Sequence, residues 1–369
     1  MLGCSAEQII SSPRPTGTLA PTLPAPSPTP SPTPVSASLR RRAAGMLVVG
    51  FRGRSLAADD PIITAIRAGL GGVILFARNI ESPQQLAALI AALRAAAGSR
   101  KLLIAIDQEG GAVARLDPTK GFARTPPAAK VGLRNDPEYA SQIGARIGDM
   151  LSASGVNLNL APVVDLNVNP SNPSIGALGR SYSADPDVVV AMAGNVIAAQ
   201  RQRGVLTTLK HFPGLGSATG DTDKEFVDIS STWTDAELVP FRRLIESGSA
   251  DVVMMANAFN STIDERHPAS LSGATMSLLR DDLGWRGVTI TDDLMAGAIK
   301  DSYAPEDVLR LAINAGNDLL LLANTATSAP DVVPPALDRI EGLVSAGKVT
   351  EAQIDQANAR IARLLSGAL

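Results

Sequence analysis

The chain has 369 residues, 45% of them hydrophobic and only 3% aromatic, with a formal net charge of −3. That length supports a large core in one or two domains, and the charge gives no basis for nucleic acid or a broad anionic surface as partner. One cysteine excludes an internal disulfide, and with only two histidines a Cys/His zinc site is not expected; no metal and no other cofactor is. So few rings favour a small pocket read mainly by hydrogen bonds.

The first 37 residues differ in kind from the rest. Residues 13–34 carry nine of the 26 prolines among Ser, Thr and Ala, with almost nothing to pack. Residues 1–37 are therefore predicted to be a disordered, polyproline-like tether, whose segment 5–37 could reach roughly 100 Å at about 3.1 Å per residue. Ahead of it, Met1-Leu2-Gly3-Cys4 resembles the end of a bacterial lipobox, which would make Cys4 a lipidation site. On that reading the protein sits outside the cytoplasm, held off a membrane; the competing reading is a disordered cytoplasmic tail.

From Arg40 onward, buried-strand runs alternate with helical patterns. The runs are 46–51, 72–76, 102–107, 156–165, 205–211, 251–257, 288–292 and 318–322, rich in Val, Ile and Leu. The clearest helix covers 82–97, with Ser82 as N-cap, Pro83 in the first turn, Leu86, Leu89, Ile90 and Leu93 on one face, and Gly98 as the stop. Eight such strands point to a single (β/α)8 barrel over 38–369, with a doubly wound open sheet as the alternative. Asp107, Asp165, Lys210, His211, Asn257 and Asp292 fall at strand C-terminal ends. A barrel brings these together on one rim; an open sheet would leave several stranded.

Four segments concentrate chemistry: Asp107-Gln108-Glu109-Gly110-Gly111 with Arg115, Gly179-Arg180-Ser181-Tyr182, Lys210-His211-Phe212-Pro213-Gly214, and Thr289-Ile290-Thr291-Asp292. Together with shorter matches over about 40–369, they resemble family-3 glycoside hydrolases, in the single-domain bacterial β-N-acetylglucosaminidase branch. The resemblance implies a retaining, exo-acting enzyme that removes terminal β-linked GlcNAc from small oligosaccharides or muropeptide-type cell-wall fragments, working as a monomer. It implies Asp292 as nucleophile and Asp107, Arg115, Arg180, Lys210 and His211 as sugar contacts; Asn257 joins them as a strand-end candidate.

One position departs from that branch. Where the branch carries an Asp-x-His dyad with His as general acid/base, this chain has Asp221-Thr222-Asp223. Most retaining glycosidases use two carboxyl groups, so Asp223 is expected to replace the imidazole if its pKa is raised, with Asp221 pushing it upward. Two other readings stay open: a sugar-binding lipoprotein that lost its acid, and a β-glucosidase or glycoside phosphorylase on the same barrel.

Overall fold

The computed structural model describes residues 34–325 and 332–367. The tether expected over 1–37 and its Cys4 therefore lie outside the described residues up to residue 33, and the first described element is the helix Pro34–Gly45. Eight parallel strands follow: β1 (Leu47–Gly50), β2 (Gly72–Leu75), β3 (Leu103–Ile106), β4 (Leu158–Asn159), β5 (Leu206–Phe212), β6 (Val252–Met255), β7 (Val288–Thr291) and β8 (Leu320–Leu322). Each pairs with the next in chain order, and β8 returns to β1. Thr291 N donates to Leu319 O and Leu319 N to Thr289 O, which joins β7 to β8 and closes the ring. An open doubly wound sheet is thereby excluded.

Alternation along the strands builds two apolar layers. Val48, Ile74, Leu103, Ala105, Leu158, Val252, Met254, Val288, Ile290 and Leu321 fill the barrel. Their neighbours, including Leu47, Val49, Val73, Leu75, Ile104, Ile106, Val253 and Leu320, face the helical shell. Strands buried on both faces need apolar residues throughout, which is why they read as continuous hydrophobic runs. In that shell, the helix Pro83–Ala97 takes its cap from Ser82, whose side chain accepts Gln85 N, and stops at Gly98 with φ +63°. The fourth strand is shorter than its run: pairing lapses after Asn159 and resumes as a single bridge, Val163 to Lys210. Pro162 between them has no N–H to donate.

The two ends of the barrel use their acids differently. At the N-terminal ends, Asp318 accepts from Arg280, Arg360 and Thr289 N, and Asp251 accepts from Arg201 and Thr207. These pairs lock helices onto strands. The final helix, Glu351–Ser366, completes that end by placing Ile361 and Leu364 in the barrel's own core. The C-terminal ends are left to a polar cavity, as parallel barrels arrange it.

Candidate active site

A cavity of about 380 Å³ opens at the C-terminal rim. Its binding half starts from β3. Asp107 directly follows that strand, and the short hairpin Gln108–Gly110 with Val113–Ala114 turns Glu109 and Arg115 back over it. Lys210, buried near the end of β5, bridges Asp107 Oδ1 at 2.9 Å and Glu109 Oε1 at 2.7 Å. Arg180 forks onto Glu109, with Nε to Oε2 and Nη2 to Oε1 both 2.8 Å, and Arg115 Nη2 reaches Asp107 Oδ2 at 3.3 Å. Burial alone would favour neutral groups, but the paired charges outweigh it. Lys210 and then Arg115 hold the Asp107 carboxyl below its usual range against that burial. Arg180 and Lys210 hold Glu109 below its usual range in the same way, while Asp107 and Glu109 keep the buried Lys210 ammonium charged.

Next to this cluster, Asp165 fixes His211. Asp165 Oδ2 lies 2.7 Å from the imidazole Nδ1, and Oδ1 accepts both His211 N at 3.0 Å and Leu215 N at 2.9 Å. The Nδ1 contact leaves Nε2 as the ring atom free for a ligand. The turn after β5 is packed too tightly for side chains at its glycines: a Cβ on Gly216 would sit 1.7 Å from Leu166 O. Gly214, at φ +120°, rests against Glu237, whose Oε2 accepts Gly216 N at 2.8 Å. Glu237 is fully buried; that burial, with Asp165 nearby, pushes its carboxyl up to about 7.

The other half crowds carboxylates. Asp292 follows β7, its N–H bonded to Met255 O at 2.9 Å, and its Oδ1 accepts Asp293 N at 2.8 Å. Asp293 Oδ1 in turn accepts Met295 N at 3.0 Å and Ala323 N at 2.8 Å, tying the ends of β7 and β8 together. From the loop after β5, Asp223 enters the same cavity. Burial first, then the field of Asp292, then that of Asp221 push its carboxyl up to about 6 against Arg180 and His211. Asp293 is pushed up to about 7, again by burial first, with Asp292 and Asp223 adding to it against its two backbone donors.

All the expected site residues but two line this one cavity: Asp292, Asp223, Asp221, Asp107, Arg115, Arg180, Lys210 and His211. Cys4 lies outside the described residues. Asn257, expected as a sugar contact, is instead buried behind the wall, donating to Asp293 O at 2.7 Å and accepting Ser270 Oγ at 2.6 Å. Its strand-end position is right for a ligand contact, but the Asp293 carbonyl takes its amide. Asp221 adds to the upward push on Asp223, as expected, and it has a second role in the loop. Lys224 bonds it at 2.8 Å and Asp223 N at 3.1 Å; these bonds outweigh burial and hold it ionised, so it orders the loop.

Four contributors were not singled out from sequence as site residues. Glu109 lies two residues from Asp107 and Asp293 directly follows Asp292, and Asp165 shares the strand-end signal that marked Asp107. Glu237 carries no signal at all, since it lies 21 positions from the turn that it supports. Among the described residues, no group of three or more His, Cys, Asp or Glu is arranged to hold a metal ion.

Comparison with known proteins gives a consistent result. The chain is 37% identical over 313 residues to a beta-hexosaminidase of Tolumonas auensis, covering 82% of this chain and 90% of the relative. It is 33% identical over 327 residues to beta-hexosaminidase A of Pseudoalteromonas piscicida, covering 81% of this chain but spanning only about half, 53%, of that protein's length. The crystal structure of a beta-N-acetylhexosaminidase from Beutenbergia cavernae superposes with a TM-score of 0.81 at 34% identity, over 90% of this chain and 98% of that one. Residues 40–364 match the glycosyl hydrolase family 3 N-terminal domain, and the chain belongs to that family.

Proposed function

We propose that the protein is a retaining, exo-acting β-N-acetylglucosaminidase that removes terminal β-linked GlcNAc from small oligosaccharides, cell-wall fragments among them. The observation that carries this reading is the pairing of Asp223 with Asp292 in one cavity, where burial and the field of Asp292 keep a proton on Asp223 to about pH 6. Two carboxyl groups, one ionised and one protonated, are what double displacement at an anomeric carbon requires. The names of the family relatives support an N-acetylhexosamine as the sugar, and GlcNAc is the reading that the motif resemblance implies.

In the first step the Asp292 carboxylate attacks the anomeric carbon. The bond from that carbon to the leaving oxygen breaks, and the Asp223 proton goes to that oxygen. In the second step Asp223, now ionised, takes a proton from water as the water oxygen attacks the same carbon and frees Asp292. Lys210, Asp107, Arg115, Arg180 and His211 hold the sugar; ion pairs among them and with Glu109 and Asp165 fix their positions before it arrives, which lowers the ordering cost of binding.

A slow fluorosugar of the gluco-2-acetamido series, incubated with the enzyme and digested for mass spectrometry, should leave its label on Asp292. Label on another carboxylate, or no turnover of any aryl β-GlcNAc, would overturn the reading and leave a sugar-binding protein. Attachment through Cys4 is a separate proposal. If a leader precedes Met1-Leu2-Gly3, the native protein should fractionate with membranes and Cys4→Ser should release it.

A further inference from the structure

The acid loop is fastened to the segment that carries the nucleophile. Gly297 N donates to Asp223 O at 2.9 Å and Ala298 N donates to Thr222 O at 3.1 Å. Gly297 lies five residues beyond Asp292 on a stretch fixed to the barrel: Leu294 N bonds Leu321 O at 2.9 Å, and the Asp293 carboxylate accepts Ala323 N. Over residues 219–226 the loop's remaining hydrogen bonds among the described residues are local, apart from one between Ser174 and Asp221. The two amides are therefore its main polar attachment to the barrel at the position of Asp223.

Space at Gly297 makes the attachment possible. A Cβ there would lie 2.2 Å from Lys224 O, 2.4 Å from Lys224 C and 2.9 Å from Lys224 Cα. All three are backbone atoms, so no rotamer change relieves the contact; the loop itself must move. Gly297 is not in the left-handed region, so the glycine is required for close approach and not for conformation.

We propose that Gly297 is a positioning residue for the acid/base: by having no side chain it lets the 221–224 loop seat two carbonyls on the nucleophile's segment, which fixes Asp223 opposite Asp292. This rests on the assignment of Asp223 as proton donor made above. The groups that face Asp223 are Asp292 and Asp293 beyond β7, Asp221 and Lys224 on its own loop, Arg180, and His211 on β5. Lifting the loop removes Asp223 from burial and from Asp292 together. The proton would then leave at lower pH, toward the ordinary aspartate value of about 3.9.

The test compares Gly297→Ala with Asp223→Ala on an alkyl β-GlcNAc and on dinitrophenyl β-GlcNAc, with full pH profiles and amide hydrogen exchange of the wild type. A displaced acid costs roughly 10–100-fold on the alkyl substrate and less than about 3-fold on the activated one. The alkaline limb of Gly297→Ala should fall below its wild-type position, and the amides of Gly297 and Ala298 should be protected in the wild type. Equal losses on both substrates with an unmoved limb would overturn the proposal. Should the alanine variant not fold, unprotected amides at 297 and 298 in the wild type would overturn it alone. If Asp223→Ala itself shows no dependence on leaving group, the acid assignment fails first; if it does and Gly297→Ala does not, only the seam fails.

Discussion

The two halves of the cavity hold their carboxylates in opposite ways. On the β3–β5 side, Asp107 and Glu109 share Lys210, Arg115 and Arg180, and both carboxyls are driven below their usual range. On the β7 side, Asp223, Asp292 and Asp293 lie together with burial and mutual repulsion, and Asp223 and Asp293 are driven up to about 6 and about 7. The supply of cations separates the halves. One half is a fixed, ionised frame suited to gripping hydroxyl groups. The other keeps protons exchangeable near neutral pH, and proton transfer needs that.

Substitutions that exchange these characters test the contrast. Asp292→Asn should lower turnover by roughly 10³–10⁶-fold with the fold intact, because on the proposed assignment its carboxylate forms the covalent bond and an amide cannot replace it. A loss under tenfold in steady-state assays would mean the nucleophile lies elsewhere. Asp223→Ala should cost ~10²–10⁴-fold on alkyl glycosides, far less on activated aryl ones, with azide restoring part of the rate. Since Asp223 must hold its proton in the first step, wild-type activity should fall as pH rises through about 6, and that limb should vanish in the variant.

On the ionised side, Glu109→Gln leaves Lys210 and Arg180 short of negative charge in a buried place. It should cost about 3–5 kcal/mol in denaturant unfolding and raise KM. An unchanged melting curve would show the frame to be solvated after all. The smallest expected effect is at Glu237. Its folded value of about 7 against an ordinary 4.5 means that folding takes up a proton between those values, so stability falls as pH rises through that window. Glu237→Gln has no proton to lose. It should match the wild type near pH 4.5 and exceed it above pH 7 by on the order of 2 kcal/mol. Parallel stability curves for the two proteins would refute the raised carboxyl.

Much of this was legible in the chain. Strands buried on both faces must be apolar along their length, so all eight stood out as hydrophobic runs, and the polar residues closing five of them, Asp107, Asp165, His211, Asn257 and Asp292, marked the rim. Asp107, Lys210, His211 and Asp292 followed from that and from the motif resemblance. Asn257 shows where the signal fails: a strand-end position says which rim a residue occupies, not whether a backbone carbonyl has already taken its amide. The 156–165 run shows another failure, since apolar character persists through Pro162 where the ladder cannot.

Periodicity determined the barrel and its C-terminal rim, because these depend on which residues alternate and where they stop; the groups expected on that rim came from the resemblance of four short motifs. Protonation and support were decided by tertiary structure alone. Whether a carboxyl keeps its proton depends on which charges surround it, and those come from elements far apart in sequence: Lys210 on Asp107 from 103 residues away, Arg180 on Glu109 from 71. The same holds for Gly297. Its need for an empty Cβ position exists only because the chain at Lys224 passes within 2.2 Å of it, a fact of packing that no local pattern records.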